Sequence, residues 1–180
     1  MKNPLLVVSL VILLCFTFSC QNKAEKAELE KFKAQATLEE QNKALVNRIW
    51  EAWNKGDFEA FKELVAPEYV WYAPSNSTKP MSREETIEMG KMIHKGFPDV
   101  NFRVEELIAV GNRVISRYIV RGTHQGEFQG IPATGNKIES SGIMITRIEN
   151  GKNVEDKEDW DTLGFMQQLG MELKPKEVKK

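Results

Sequence analysis

Few side chains in this 180-residue chain can move a proton or bind a metal near neutral pH, and their spacing already sorts them. The two histidines are His94 and His124, and the two cysteines, Cys15 and Cys20, both lie in the first twenty residues. Neither a spaced zinc-ligand set nor a disulfide framework can be built from them, so the expectation is a metal-free, disulfide-free domain. The His124 imidazole, with an ordinary pKa of ~6.5, suits proton transfer near neutrality; its other role is to hold the loop from Gly126 to Gly135. The densest acidic run is Glu155-Asp156-Lys157-Glu158-Asp159, which as a charge run reads first as a solvated face. In a strand, however, period two puts Glu158 on one face with Val154, Asp156 and Trp160. A carboxylate turned inward beside an aromatic ring loses hydration, which disfavours its charged form and makes it a stronger base.

The aromatic side chains are the other candidates for a site. Trp53, Tyr72, Phe128 and Trp160 suit the lining of a pocket for a flat apolar ligand, although at helical or strand spacing such residues also serve as plain core. Net charge excludes one class of partner: 25 Lys and Arg stand against 26 Asp and Glu, so there is no basic field of the kind nucleic-acid binding relies on. Arg113, Arg117 and Arg121 alternate along one strand face and read as its solvated or dimer-facing side. His94, just before Gly96, reads as a favourable charge at a helix C-terminus.

The elements that must position these groups follow from hydrophobic period. Leu45, Ile49 and Trp53, with Val46 and Trp50, form a helical stripe ended by Gly56. Asp57 then caps a short helix carrying Phe58, Phe61 and Val65, with Pro67 after it. Tyr69 to Tyr72 favours a short strand, and Ser82-Arg83-Glu84-Glu85 is a capping box opening a third helix that reaches His94. Beyond Pro98 the period becomes two. Phe102, Val104 and Ile108, then Val114, Tyr118 and Val120, then Ile143 and Ile145, and lastly Val154 to Trp160, mark four antiparallel strands with turns at Gly111-Asn112 and Asn150-Gly151. Asp161 begins a final helix to Leu169 and reads as its N-cap, with a possible supporting role behind the site. The expected class is α+β, and 41% apolar residues suffice for one packed core.

The ends of the chain differ from this domain. Leu5 to Phe18 is an apolar run of fourteen residues, short for a membrane span of ~20 but suited to the middle of a signal peptide. The Phe-Ser-Cys ending resembles the lipobox of bacterial lipoproteins, which implies cleavage before Cys20 and a lipid on Cys20. Residues 1–19 are then the signal peptide, 20–40 a charged helical stalk, 41–172 the domain and 173–180 a disordered charged tail. The expected location is the bacterial cell envelope, facing outside the cytoplasm and anchored to a membrane through lipidated Cys20.

Four strings occur in order within the domain: Phe97-Pro98-Asp99; Gly122-Thr123-His124-Gln125-Gly126-Glu127-Phe128; Gly130-Ile131-Pro132-Ala133-Thr134-Gly135; and Trp160-Asp161 leading to Gln168-Leu169-Gly170. Together they resemble the SnoaL-like polyketide cyclase and ester cyclase family. The resemblance implies the nuclear transport factor 2-like fold, a cone-shaped half-barrel of curved antiparallel sheet wrapped around three helices, with an apolar pocket between them. It implies cofactor-free chemistry in which one carboxylate removes a proton from carbon beside a carbonyl and the enolate closes a ring by aldol addition. The family's carboxylate falls at Glu158, with His124 as a second catalytic candidate. A histidine that assists the carboxylate in the family falls at Met144, which can neither donate nor accept a proton and joins the pocket lining. The implied partners are a small apolar carbonyl compound and a second copy of the chain in a homodimer. Two other functions remain open, a ligand-binding lipoprotein without turnover and a dimerising interaction module.

Overall fold

The structure, a computed structural model, describes residues 4–172 and 174, with side chains from residue 23 onward except residue 24. The side chains of the signal peptide and of Cys20, and most of the 173–180 tail, lie outside what is described. The chain divides into two compact units, Met1–Leu38 and Glu39–Lys180. Helix α1 (Pro4–Lys55) runs through the boundary, so the expected apolar run, stalk and first domain helix are one continuous helix. Within the first unit Leu29, Phe32 and Leu38 are exposed. Lys33 pairs with Glu30 at 3.2 Å and the Thr37 hydroxyl donates to the Lys33 carbonyl at 2.9 Å, so this segment is held by its own i,i+3 and i,i+4 contacts.

In the second unit the 3.6-residue stripe of α1 is buried as its period requires: Leu45, Val46, Ile49 and Trp50 all enter the core. Asp57 accepts the Ala60 N–H at 3.0 Å and starts α2 (Phe58–Leu64). Val65, expected on that helix, instead opens β1 (Val65–Tyr72). Pro67 falls inside β1, in the irregular stretch between Val65 and Val70, where no ladder N–H is demanded of it. After the two-residue β2 (Met81–Ser82), Ser82 and Glu85 close a full capping box on α3 (Arg83–Gly96). That helix lies close on α2, because a Cβ on Gly90 would come within 2.4 Å of the Phe58 ring.

The remaining strands are β3 (Asn101–Val110), β4 (Arg113–Thr123), β5 (Lys137–Glu149) and β6 (Lys152–Trp160), followed by α4 (Thr162–Gln168). The sheet has six strands in the order β2-β1-β6-β5-β4-β3. Neighbours from β6 to β3 are antiparallel, as the short turns require, whereas β1 joins the far side of β6 in parallel. This is the α+β class and the curved sheet that the sequence leads one to expect. Side-chain parity departs from it twice. A bulge between Val104 and Glu106 on β3 shifts the period by one, so Leu107 and Ala109 pack on the core and Ile108 is turned out. On β5 Ile143 and Ile145 face outward, while Ser140, Gly142, Met144 and Thr146 face in.

Small inward residues on β5 leave room for large side chains from elsewhere. Trp50 reaches across from α1 to donate to the hydroxyl of fully buried Ser116 on β4 at 3.3 Å. Trp53 sits edge-on to Phe58, Phe61, Trp71 and Phe102, with centroids 5.7–6.2 Å apart. Asn54 fixes the helix to the sheet by donating to the Phe102 carbonyl at 2.8 Å and accepting its N–H at 2.7 Å. His94 acts on a neighbouring helix rather than its own: Nε2 lies 2.7 Å from the Trp53 carbonyl, at the C-terminus of α1.

Candidate functional site

A cavity of about 200 Å³ lies between the inner face of the sheet and helices α1 and α3. Its walls are chiefly aromatic and aliphatic, with two carboxylates among them, Asp156 and Glu158. Both come from β6. Period two places them on the inner face, two residues apart, while Lys157 and Asp159 between and beyond them are exposed. The acidic run is therefore split by strand geometry into a buried half and a solvated half.

The two buried carboxyls are treated differently by their neighbours. Asp156 accepts from the Tyr69 hydroxyl at 2.7 Å, the Thr146 hydroxyl at 2.5 Å and the Asn153 amide at 2.8 Å. Burial raises its pKa, and these three donors partly offset the rise. With both oxygens engaged, the Asp156 carboxyl is fixed in a hydrogen-bonded cage. Glu158 has one such bond, a close contact in which the Tyr118 hydroxyl donates to Oε1. Burial lifts its pKa from 4.5 to about 7; the Tyr118 hydrogen bond and, less strongly, the nearby Trp71 indole N–H oppose the rise, and the Asp156 charge adds to it. Near neutral pH Glu158 is thus divided between carboxylate and acid, the condition a general base requires if it is later to return a proton.

Tyr118 reaches Glu158 by lying across an intervening strand. It sits on β4, Glu158 on β6, and the β5 residue opposite Tyr118 is Gly142. A Cβ on Gly142 would stand 2.4 Å from the Tyr118 hydroxyl oxygen and 2.9 Å from Trp160 Cβ. Glycine is needed there for space, not for its backbone freedom. The phenol's pKa is driven far up by burial and by the adjacent Glu158, so Tyr118 acts only as a donor. Met144 lies directly opposite Glu158 on β5 and supplies an apolar wall without a proton.

The structure brings together Glu158, Trp53, Phe128, Met144 and Trp160 around this cavity. It does not bring Tyr72 or His124 there. Tyr72 is one residue out of phase on β1, and its ring lies 5.5 Å from the Lys157 ammonium on the other face, whereas its neighbour Trp71 lines the cavity. His124 is fully buried behind the cavity, stacked on Phe97 with centroids 5.0 Å apart. Its Nδ1 accepts the Thr134 N–H at 3.3 Å and lies 3.1 Å from the Thr134 hydroxyl, so it tethers the Gly126–Gly135 loop. Asp161 accepts the Gly164 N–H at 2.8 Å and caps α4, away from the two carboxyls. The loop places Gln129 at the cavity's exposed edge: Phe128 and Ile131 exchange backbone hydrogen bonds around a tight turn with φ of 50° at Gln129 and 80° at Gly130.

Sequence reasoning missed Tyr118, Trp71 and Asp156 as parts of the site. Tyr118 was legible as an inward residue of its strand, and the one further signal was Gly142, a glycine inside a strand pattern, which marks a close approach. Among the described residues no group of three His, Cys, Asp or Glu side chains could hold a metal ion.

Comparison with known proteins places this geometry. Residues 43–169 match the SnoaL-like polyketide cyclase family. The chain is 30% identical over 129 residues to the aklanonic acid methyl ester cyclase DauD of a Streptomyces strain, covering 70% of this chain and 80% of that one. Among solved structures it is similar to IdmH of Streptomyces antibioticus, provisionally a polyketide cyclase, at 30% identity and TM-score 0.64, covering 73% of this chain and 99% of IdmH. It is also similar to AclR of Streptomyces galilaeus, provisionally a hydroxylase, at 28% identity and TM-score 0.67, covering 73% of this chain and 97% of AclR. One scaffold thus carries more than one assigned chemistry. With its matched residues spanning the whole sheet and the helices that close the cavity, the chain belongs to the SnoaL-like polyketide cyclase family.

Proposed function

We propose that this domain is a cofactor-free acid/base enzyme of the ester cyclase type, with Glu158 as its base. The observation that carries the reading is a carboxyl, 5% exposed, set in an apolar cavity with its pKa raised to about 7. Glu158 takes the proton from a carbon beside a carbonyl; the C–H electron pair becomes the C=C bond of the enolate as the carbonyl π pair moves onto oxygen. The enolate carbon then bonds to a second carbonyl of the same molecule, and the alkoxide formed takes the proton back from the Glu158 acid. Every atom is conserved and no oxidant is called on. Tyr118 fixes one oxygen of this carboxyl, which restrains the base in the cavity wall.

Cavity size bounds the substrate. An apolar cavity of ~150 Å³ suffices for benzene, so about 200 Å³ takes the bulk of a single ring, with the two carbonyls that ring closure joins carried on short side chains. A probe of that size is phenylacetone. The full chain in deuterated buffer should exchange its α-protons, and Glu158→Gln, which keeps shape and removes the base, should abolish the exchange while phenylacetone still binds. Full exchange in the Gln variant would remove Glu158 from the reaction. Binding with no exchange in either protein would favour a ligand-binding lipoprotein, a reading supported by Met144 where a proton donor would otherwise face the carboxyl.

The same proposal anchors the protein to the bacterial envelope through a lipid on Cys20, supported by the apolar run immediately before it. Cys20→Ser should shift the protein out of the membrane fraction; a variant that stays membrane-bound and is cut at the same point would refute the anchor. Pairing of two copies through the outer sheet face is supported by the exposed Ile143 and Ile145.

A further inference from the structure

The cavity holds a buried hydrogen-bond donor to which the protein closes no full hydrogen bond. Among the described residues, only two buried side-chain nitrogen or oxygen atoms lack a partner, and one of them is Trp71 Nε1. Three other donors around the cavity are committed, Tyr118 to Glu158, Tyr69 to Asp156 and the Trp50 indole to Ser116, and of the indoles that line it Trp71 is the one with a fully buried, unmatched N–H. Leaving a buried N–H unmatched is costly, so such a group in a site points to something that binds there. Trp71 also has a defined address. It pairs with Asp156 in the β1–β6 ladder, which puts its side chain on the inner face beside the two carboxyls.

We propose that Trp71 Nε1–H binds the carbonyl oxygen of the substrate and stabilises the enolate oxygen that forms when Glu158 removes the adjacent proton. This rests on the assignment of Glu158 as base and adds the group that receives the charge. Removing a proton from H–C–C=O needs a base at the C–H and a donor at the oxygen, one C–C bond away, so the two groups must be neighbours. Trp71 and Glu158 are: Trp71 lies opposite Asp156, two residues before Glu158 on the same inner face, and both line the cavity, where the indole N–H favours the Glu158 carboxylate without closing a full hydrogen bond to it. Met144, directly opposite Glu158, cannot donate, and Tyr118 is occupied by the carboxyl. An indole keeps its proton at any working pH, so it is a donor only and never competes as a base. Its ring is held edge-on to Trp53, centroids 6.2 Å apart, which fixes the N–H direction before the substrate arrives.

The test uses the full chain in phospholipid nanodiscs, ¹⁵N-labelled at its four tryptophans, with phenylacetone and propylbenzene as probes at matched free concentration. The two probes share the ring and differ in the carbonyl oxygen. The expected result is a downfield shift of the Trp71 indole N–H with phenylacetone and none with propylbenzene. Trp71→Phe should weaken phenylacetone about three- to tenfold, the range of one neutral hydrogen bond, and leave propylbenzene within about twofold. It should slow α-proton exchange at saturation by a further factor of at least ~10, because the donor gains strength as the oxygen becomes charged. If the Phe variant does not fold, the wild-type resonances decide. An unmoved Trp71 signal while the other tryptophans respond would overturn the donor and leave Glu158 standing, provided Glu158→Gln still abolishes exchange. A shifted Trp71 signal without exchange in the wild type would support the donor and refute the base. No response of any tryptophan to either probe would overturn both.

Discussion

Replacing Glu158 by Gln should change the stability of this protein in a way that depends on pH, and the size of the change follows from the burial of the carboxyl. The folded-state pKa is raised from 4.5 to about 7, so the native state holds this proton more tightly than the unfolded chain does. For a group shifted in this direction the associated stability is fully present below the unfolded pKa of 4.5 and is lost as pH rises through about 7. At ~1.4 kcal/mol per pKa unit, the wild type should lose on the order of 3 kcal/mol from this residue between pH 4 and pH 8. The amide of the Glu158→Gln variant does not titrate and still accepts the Tyr118 hydroxyl. Subtracting the variant from the wild type therefore cancels the other ionisable groups. Urea unfolding of both proteins at pH 4 and pH 8, followed by tryptophan fluorescence, gives the double difference directly. For an m-value of ~2 kcal/mol/M it is a relative midpoint shift of about 1.5 M, with the wild type favoured at low pH. A double difference below about 1 kcal/mol, or one of opposite sign, would show that Glu158 is not desolvated and would remove the basis for its role. Exchange activity should run the other way, rising with pH through about 7 as the base ionises, so the site gains its reactive form where the fold loses stability.

The partners of Glu158 should move its titration in opposite directions. Tyr118→Phe removes a hydrogen bond that favours the carboxylate and should raise the Glu158 pKa above about 7, whereas Asp156→Asn removes a repelling charge and should lower it; carboxyl chemical shifts against pH measure both. Two shifts of the same sign would mean that the causes are misassigned. Gly142→Ala puts a methyl 2.4 Å from the Tyr118 hydroxyl, and should cost about 1–3 kcal/mol in urea unfolding while dislodging the phenol from Glu158. A variant with unchanged stability and an unchanged Glu158 titration would show that the strand gap is not what admits Tyr118.

The local signals in the sequence were enough for the order of elements, because each acts within a few residues. Ser82 with Glu85, Asp57 and Asp161 all cap the helices that their spacing marks, since a cap needs only a side chain and the next turn of backbone. Period two along β6 likewise put Glu158 inside with Asp156 and Trp160, as strand parity needs no partner to be known. Parity alone failed where a bulge or an ambiguous run intervened. Nothing in Tyr69-Val70-Trp71-Tyr72 says which residues face in, because all four suit either face; pairing with β6, more than eighty residues on, chose Trp71 and turned Tyr72 out. The β5 isoleucines point outward against their hydrophobicity because the inner face must stay narrow for Tyr118 and Trp50. Sequence determined that an acid, several aromatics and a curved sheet would share one domain. Only tertiary structure decided that Tyr118 crosses Gly142 to hold Glu158, that Asp156 is caged by donors from three strands, and that Trp71 keeps an unspent N–H beside them. The Tyr118–Glu158 and Tyr69–Asp156 contacts join residues 40 and 87 positions apart, and their geometry depends on register and on the space left by missing side chains, neither of which is written in any one segment.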